Sequence, residues 1–158
     1  SLVWEEKASV SVARDANDGV IAYEGNMYFM GGYNGSGSNL TEQYDPLTNQ
    51  WQTLTPLTTA RFAHSCAVHN DKIYAIGGDG LTSVEIYDPA LDQWSAGPAL
   101  SSEVRYGGAI TVGGKILLVG GRGPAPAHQI LNHVLALDPS TNQWSHNAPD
   151  PHLRAGSA

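Results

Sequence analysis

Three short stretches of the chain, Met27–Met30, Ile73–Ile76 and Ile116–Val119, are apolar without alternation. Alternating polarity marks a strand with one wet face. Its absence predicts strands covered on both faces. Each stretch follows turn chemistry that closes a two-residue hairpin: Gly25-Asn26, Asn70-Asp71 or Gly113-Gly114. In the middle unit the strand before that turn is read over His64–His69. Each apolar stretch ends in a double glycine, Gly31-Gly32, Gly77-Gly78 or Gly120-Gly121. The missing Cβ there permits unusual dihedrals and close backbone approach. A third strand is expected over Thr41–Tyr44, Val84–Tyr87 and Val134–Leu137. Asp-Pro then supplies a turn, and a fourth strand carries Trp51, Trp94 or Trp144.

The pattern recurs with little drift. Tyr44, Tyr87 and Leu137 stand at one distance from their tryptophans, and Trp4 marks the end of an earlier unit. Each tryptophan is followed by an arginine, ten residues later at Arg14, Arg61 and Arg154 and eleven later at Arg105. Units of this length bury a core only by stacking on one another. The expected fold is therefore all-β, with four-stranded antiparallel sheets arranged as propeller blades, three to a chain. The whole of residues 1–158 reads as one repeat region. It holds the end of a preceding repeat over 1–13, repeats over about 14–60, 61–104 and 105–153, and the start of another over 154–158.

These anchors resemble the Kelch-repeat propellers: the double glycines, Tyr44 and Tyr87, the four tryptophans and the arginines that follow them. Leu137 departs from the usual tyrosine. The resemblance implies that sequence repeats are offset from blades. It also assigns Trp4, Trp51, Trp94, Trp144, Tyr44, Tyr87 and the six paired glycines to structure, because residues that recur at one phase are most simply structural. Propellers close with about four to eight blades. Three repeats therefore require a longer chain or a second copy, the latter giving a homodimeric six-bladed ring. That dimer has one copy too many of the fourth strand, since Trp4 and Trp144 both look like fourth-strand tryptophans.

Composition narrows the partners. The formal charge of −7 argues against nucleic acid and anionic membranes. No apolar stretch is long enough to span a bilayer and no secretory signal is visible, so a soluble chain of open compartment is expected. The single Cys66 excludes an internal disulfide, and it is read as a small core residue. Asn34-Gly-Ser and Asn39-Leu-Thr fit the glycosylation pattern, which matters only in a secretory pathway.

Antiparallel connectivity sorts the loops onto two ends of the blades. The arginine loops and the loops after the double glycines share one end, which gathers Arg14, Arg61, Arg105, Arg122 and Arg154. Glu24, Asp45, Asp71, Asp88, Asp92 and Asp138 fall at the other. Guanidinium groups bind carboxylates in a planar two-point geometry, and Tyr33, Asn34, Phe62, Asp79 and Tyr106 add interface-type contacts. In Kelch adaptor proteins these loops commonly bind partner peptides, often acidic ones. The resemblance thus makes Arg14, Tyr33, Arg61, Asp79, Arg105 and Arg122 the binding candidates. The recurrence of Arg14, Arg61 and Arg105 is equally what a structural role predicts, whereas Arg122 breaks the repeat.

The leading expectation is a non-enzymatic module that binds an acidic peptide or protein surface, with no cofactor, no metal and no catalytic residue. His128 and His133 lie near the long loop 122–132 without a third ligand and read as solvated. The alternatives are a sugar-acting protein resembling the bacterial Kelch sialic-acid mutarotases, with Glu103 as acid/base, and a purely structural part of a larger assembly.

Overall fold

The computed structural model describes residues 3–15 and 19–147. Arg154 and the expected repeat start at 154–158 lie outside them. The described residues form three four-stranded antiparallel sheets and no helix. Blade one contains β1 (Val20–Tyr23), β2 (Asn26–Met30), β3 (Thr41–Asp45) and β4 (Gln50–Leu54). Blade two contains β5 (Ser65–His69), β6 (Lys72–Ile76), β7 (Val84–Asp88) and β8 (Gln93–Gly97). Blade three contains β9 (Gly108–Val112), β10 (Lys115–Val119), β11 (Val134–Asp138) and β12 (Gln143–Asn147). Strands pair in sequence order within each blade, as consecutive hairpins dictate.

Blades stack through the faces of their middle strands, with β5 lying beside β1 and β9. Ile73, Ala75 and Tyr87 of blade two meet Tyr28 and Met30 of blade one. On the other side Tyr74, Ile76 and Val84 meet Ile116, Leu118, Leu135 and Leu137 of blade three. Because side chains alternate along a strand, Ile73–Ile76 of β6 must all be apolar to serve both neighbours. Among the described residues, blade three has a neighbouring blade on one side only. Ile116 and Leu118 are buried there, while Val119, and Ile110 and Val112 on β9, stay exposed.

The fourth-strand tryptophans tie each blade to the segment that leads into it. The indole Nε1 of Trp51 donates to Ala8 O at 2.7 Å, that of Trp94 to Thr55 O at 2.9 Å, and that of Trp144 to Pro98 O at 2.7 Å. Trp51 and Trp94 also pack on Tyr44 and Tyr87, with ring centroids about 5 Å apart. Trp4 departs from its expected role as a packed anchor. It is 99% exposed, in a segment without strand structure, since no described blade precedes it.

Candidate interaction face

The six candidates separate into two groups. Arg14 and Arg61 lie inside the blades. Arg14 Nη1 donates to Glu42 Oε2 at 2.7 Å, its Nε donates to Gly31 O at 2.7 Å, and its guanidinium carbon sits 3.8 Å from the centroid of the Phe29 ring. Arg61 is 1% exposed. Its Nη2 donates to Glu85 Oε1 at 2.7 Å, and its Nη1 donates to Gly77 O and Ser83 O. The carboxylates also hold the incoming linkers. Glu85 Oε2 accepts from the Thr58 amide and hydroxyl, Oε1 accepts from the Thr59 amide, and Glu42 accepts from the Ser11 amide. Burial raises the pKa of Glu42 and Glu85, but these hydrogen bonds and the arginine charges outweigh it, and both carboxyls end below their ordinary range. The side chains of these two arginines are fully covered and bind the protein's own groups.

Arg105 is a different residue in the same loop. Gly32 N donates to Arg61 O at 2.9 Å, and Gly78 N donates to Val104 O at 3.0 Å. Ala63 and Tyr106 share a positive φ, 55° and 54°. The backbone equivalent of Arg61 is thus Val104, and Arg105 stands where blade two has Phe62. On β11 the equivalent of Glu42 and Glu85 is Leu135. Blade three has replaced the buried ion pair with Val104 and Leu135, both in the core. Its arginine, one position later, points instead to the loop face.

That face is built from pairs that cross between blades. The ring of Tyr33 lies 4.9 Å from that of Phe62. In the next position Arg105 pairs with Asp79, and its other nitrogen meets His128 Nδ1 in the long loop. Glu103 Oε1 approaches Arg105 Nε at 3.5 Å. Arg122 occupies the third such position. It is exposed, and no described side chain pairs with its guanidinium. Tyr33 and Tyr106 are 38% and 48% exposed at the same end of the blades. His64, packed against the double glycines of blades one and two, is fully buried with neither ring nitrogen hydrogen-bonded. Burial, aided by the Arg61 charge, holds its pKa down to about 3. Among the described residues no three His, Cys, Asp or Glu side chains converge as metal ligands. No helix of the described residues is long and apolar enough to cross a membrane.

The Kelch motif matches three times, over residues 19–58, 60–101 and 104–147, and the chain belongs to the Kelch family. It is 32% identical over 126 residues to human Kelch repeat and BTB domain-containing protein 12, covering 68% of this chain and 20% of that one. It is 44% identical over 59 residues to Kelch-like ECH-associated protein 1A of Danio rerio, covering 34% of this chain and 10% of that one. Among solved structures, that of YjhT superposes with a TM-score of 0.77 at 22% identity, covering 95% of this chain and 56% of that one. That likeness shows the fold. The chain spans a fifth or less of these curated relatives and just over half of the solved one.

Proposed function

We propose that the chain is a protein-interaction module that binds a peptide or loop of a partner across the face carrying Tyr33, Phe62, Asp79, Arg105, Tyr106 and Arg122. The observation that carries this reading is Arg122, an exposed guanidinium without a partner among the described residues, at the same end of the blades as exposed Tyr106 and Tyr33. Aromatic and arginine side chains of this kind supply most of the energy at protein interfaces. Arg105 is partly neutralised by Asp79, so the preference for an acidic residue in the ligand falls on Arg122. The kinship with Kelch-like proteins supports a binding role over a catalytic one. Glu103, the acid/base of the sugar-acting alternative, lines a cleft beside the linker with Val104 and His133, and no feature of the face favours that alternative.

Peptide display against the 158-residue chain tests the proposal. Enriched sequences should carry Asp or Glu close to an aromatic or aliphatic residue. Arg122→Ala combined with Tyr106→Ser should weaken them about tenfold or more while leaving Tm unchanged. Failure to enrich related sequences, or ligands indifferent to both substitutions, would overturn it. Ring closure is part of the same proposal: the exposed apolar face of β9 and β10 is where a further blade packs, supplied by a longer chain or by a second copy.

A further inference from the structure

The replacement of the buried ion pair in blade three leaves a space behind. A cleft of about 240 Å³ opens there, lined by Ser101, Ser102, Glu103, Val104, His133 and Leu135 among others. Four of these are the backbone equivalents of Thr58, Thr59, Arg61 and Glu85, the residues that close the same place in blade two. In blade two the arginine fills the cleft and Glu85 holds the linker down by three hydrogen bonds. In blade three Val104 and Leu135 are too short to do either.

The groups that recognise a guanidinium are nevertheless retained. The carbonyls of Gly120 and His133 stand where those of Gly77 and Ser83 accept from Arg61 Nη1, and no described side chain donates to them. The carboxylate has moved from the strand to the linker, at Glu103, where blade two has Ala60. Among the described residues Glu103 is held only by Arg105 Nε at 3.5 Å, a long contact that leaves this nitrogen without a hydrogen bond. Val104 and Leu135 offer an apolar wall to an aliphatic stem, the usual seat of an arginine.

We infer that this cleft is a receptor for an arginine side chain supplied from outside the chain, at the position that blades one and two fill with their own. The occupant is an arginine of a protein partner. Its guanidinium meets Glu103 and the two carbonyls, and its stem lies on Val104 and Leu135. The site adjoins the Arg122 face, since Gly123 and Pro124 also line the cleft, but it has the opposite charge preference.

The probe is N-acetyl-arginine N-methylamide, with the citrulline analogue as its neutral isostere. Binding is followed by the backbone amide shifts of Ser101–Val104 and His133–Leu135 in the 158-residue chain. The arginine compound should shift these amides saturably, with the citrulline analogue about tenfold weaker or worse, because a charged hydrogen bond is lost. Glu103→Gln should weaken the arginine response by a similar factor. Val104→Arg with Leu135→Glu installs the pair that closes blade two and should abolish the response. Equal responses to both compounds, or a Glu103→Gln chain that binds as well as the parent, would overturn the inference even if the filled variant fails to fold. Loss of peptide binding at Arg122 would leave it untouched.

Discussion

Glu85→Ala should lower the unfolding free energy by about 3–5 kcal/mol, the usual result of removing one partner of a buried ion pair. The reason is the position of Arg61. Its side chain is fully covered, so without Glu85 the charge has no water to turn to. Gly77 O, Ser83 O and Ser83 Oγ remain as partners, but none carries a compensating charge. The Thr58 hydroxyl and the amides of Thr58 and Thr59 lose their acceptor in the same step. Urea denaturation of the two chains measures the difference. A loss below about 1 kcal/mol would mean that this pair behaves like a surface ion pair.

The same site should tolerate a larger change. Arg61→Val with Glu85→Leu copies blade three, where Val104 and Leu135 pack in the core. Apolar replacement of a whole buried pair is often neutral or stabilising, because neither charge then has to be stripped of water. The double variant should therefore lose less stability than Glu85→Ala, within about 1–3 kcal/mol of the parent, its residual cost being the linker amides and the space that the shorter side chains open. Acid separates the two effects. The pKa of Glu85 is depressed in the fold, so its stabilisation is complete above the unfolded carboxylate range and is lost as pH falls below it. Below about pH 4 the double variant should lose less stability than the parent.

The sequence shows the blades because their anchors are local. A turn, an apolar strand, a double glycine and a tryptophan each follow from a few adjacent residues. The seven strands bounded from sequence lie within a residue of where that chemistry puts them, and each fourth strand carries its tryptophan. The loop face was only partly legible. Recurrence groups Arg14, Arg61 and Arg105 as one set, yet what each arginine does depends on a residue on a later strand. Glu42 and Glu85 hold the first two, and Leu135 releases the third. Two marks of this were present: the extra residue between Trp94 and Arg105, and leucine at the position that is glutamate in the other two units. Neither has meaning until the strands are paired. Cross-blade pairs such as Tyr33 with Phe62 join separate repeats and leave no trace in the spacing of either.

Gly77→Ala should be among the most damaging single substitutions, and Gly120→Ala, at the same point of the next repeat, should be mild. Both glycines have φ near +60°, 64° and 62°, which costs an L-residue about 1–2 kcal/mol. They differ in what a methyl group would meet. At Gly77 a Cβ would lie 2.6 Å from Val104 O, in the backbone entering blade three. That carbonyl accepts from Gly78 N at 3.0 Å, so relieving the clash pulls apart a hydrogen bond between blades. Overpacking of this kind adds about 1–3 kcal/mol. At Gly120 the nearest atom is Leu131 O at 3.6 Å, an ordinary contact, because no described blade follows blade three. Gly77→Ala should therefore cost about 3 kcal/mol or more and Gly120→Ala about 1–2 kcal/mol in urea denaturation. The comparison also reports on ring closure. If a second copy packs against β9 and β10, a carbonyl of its entering strand takes the place beside Gly120 that Val104 O takes beside Gly77. Gly120→Ala would then be as costly as Gly77→Ala, and sedimentation would show the assembly dissociating. Equal damage in a chain that sediments as a monomer would contradict the argument from close approach.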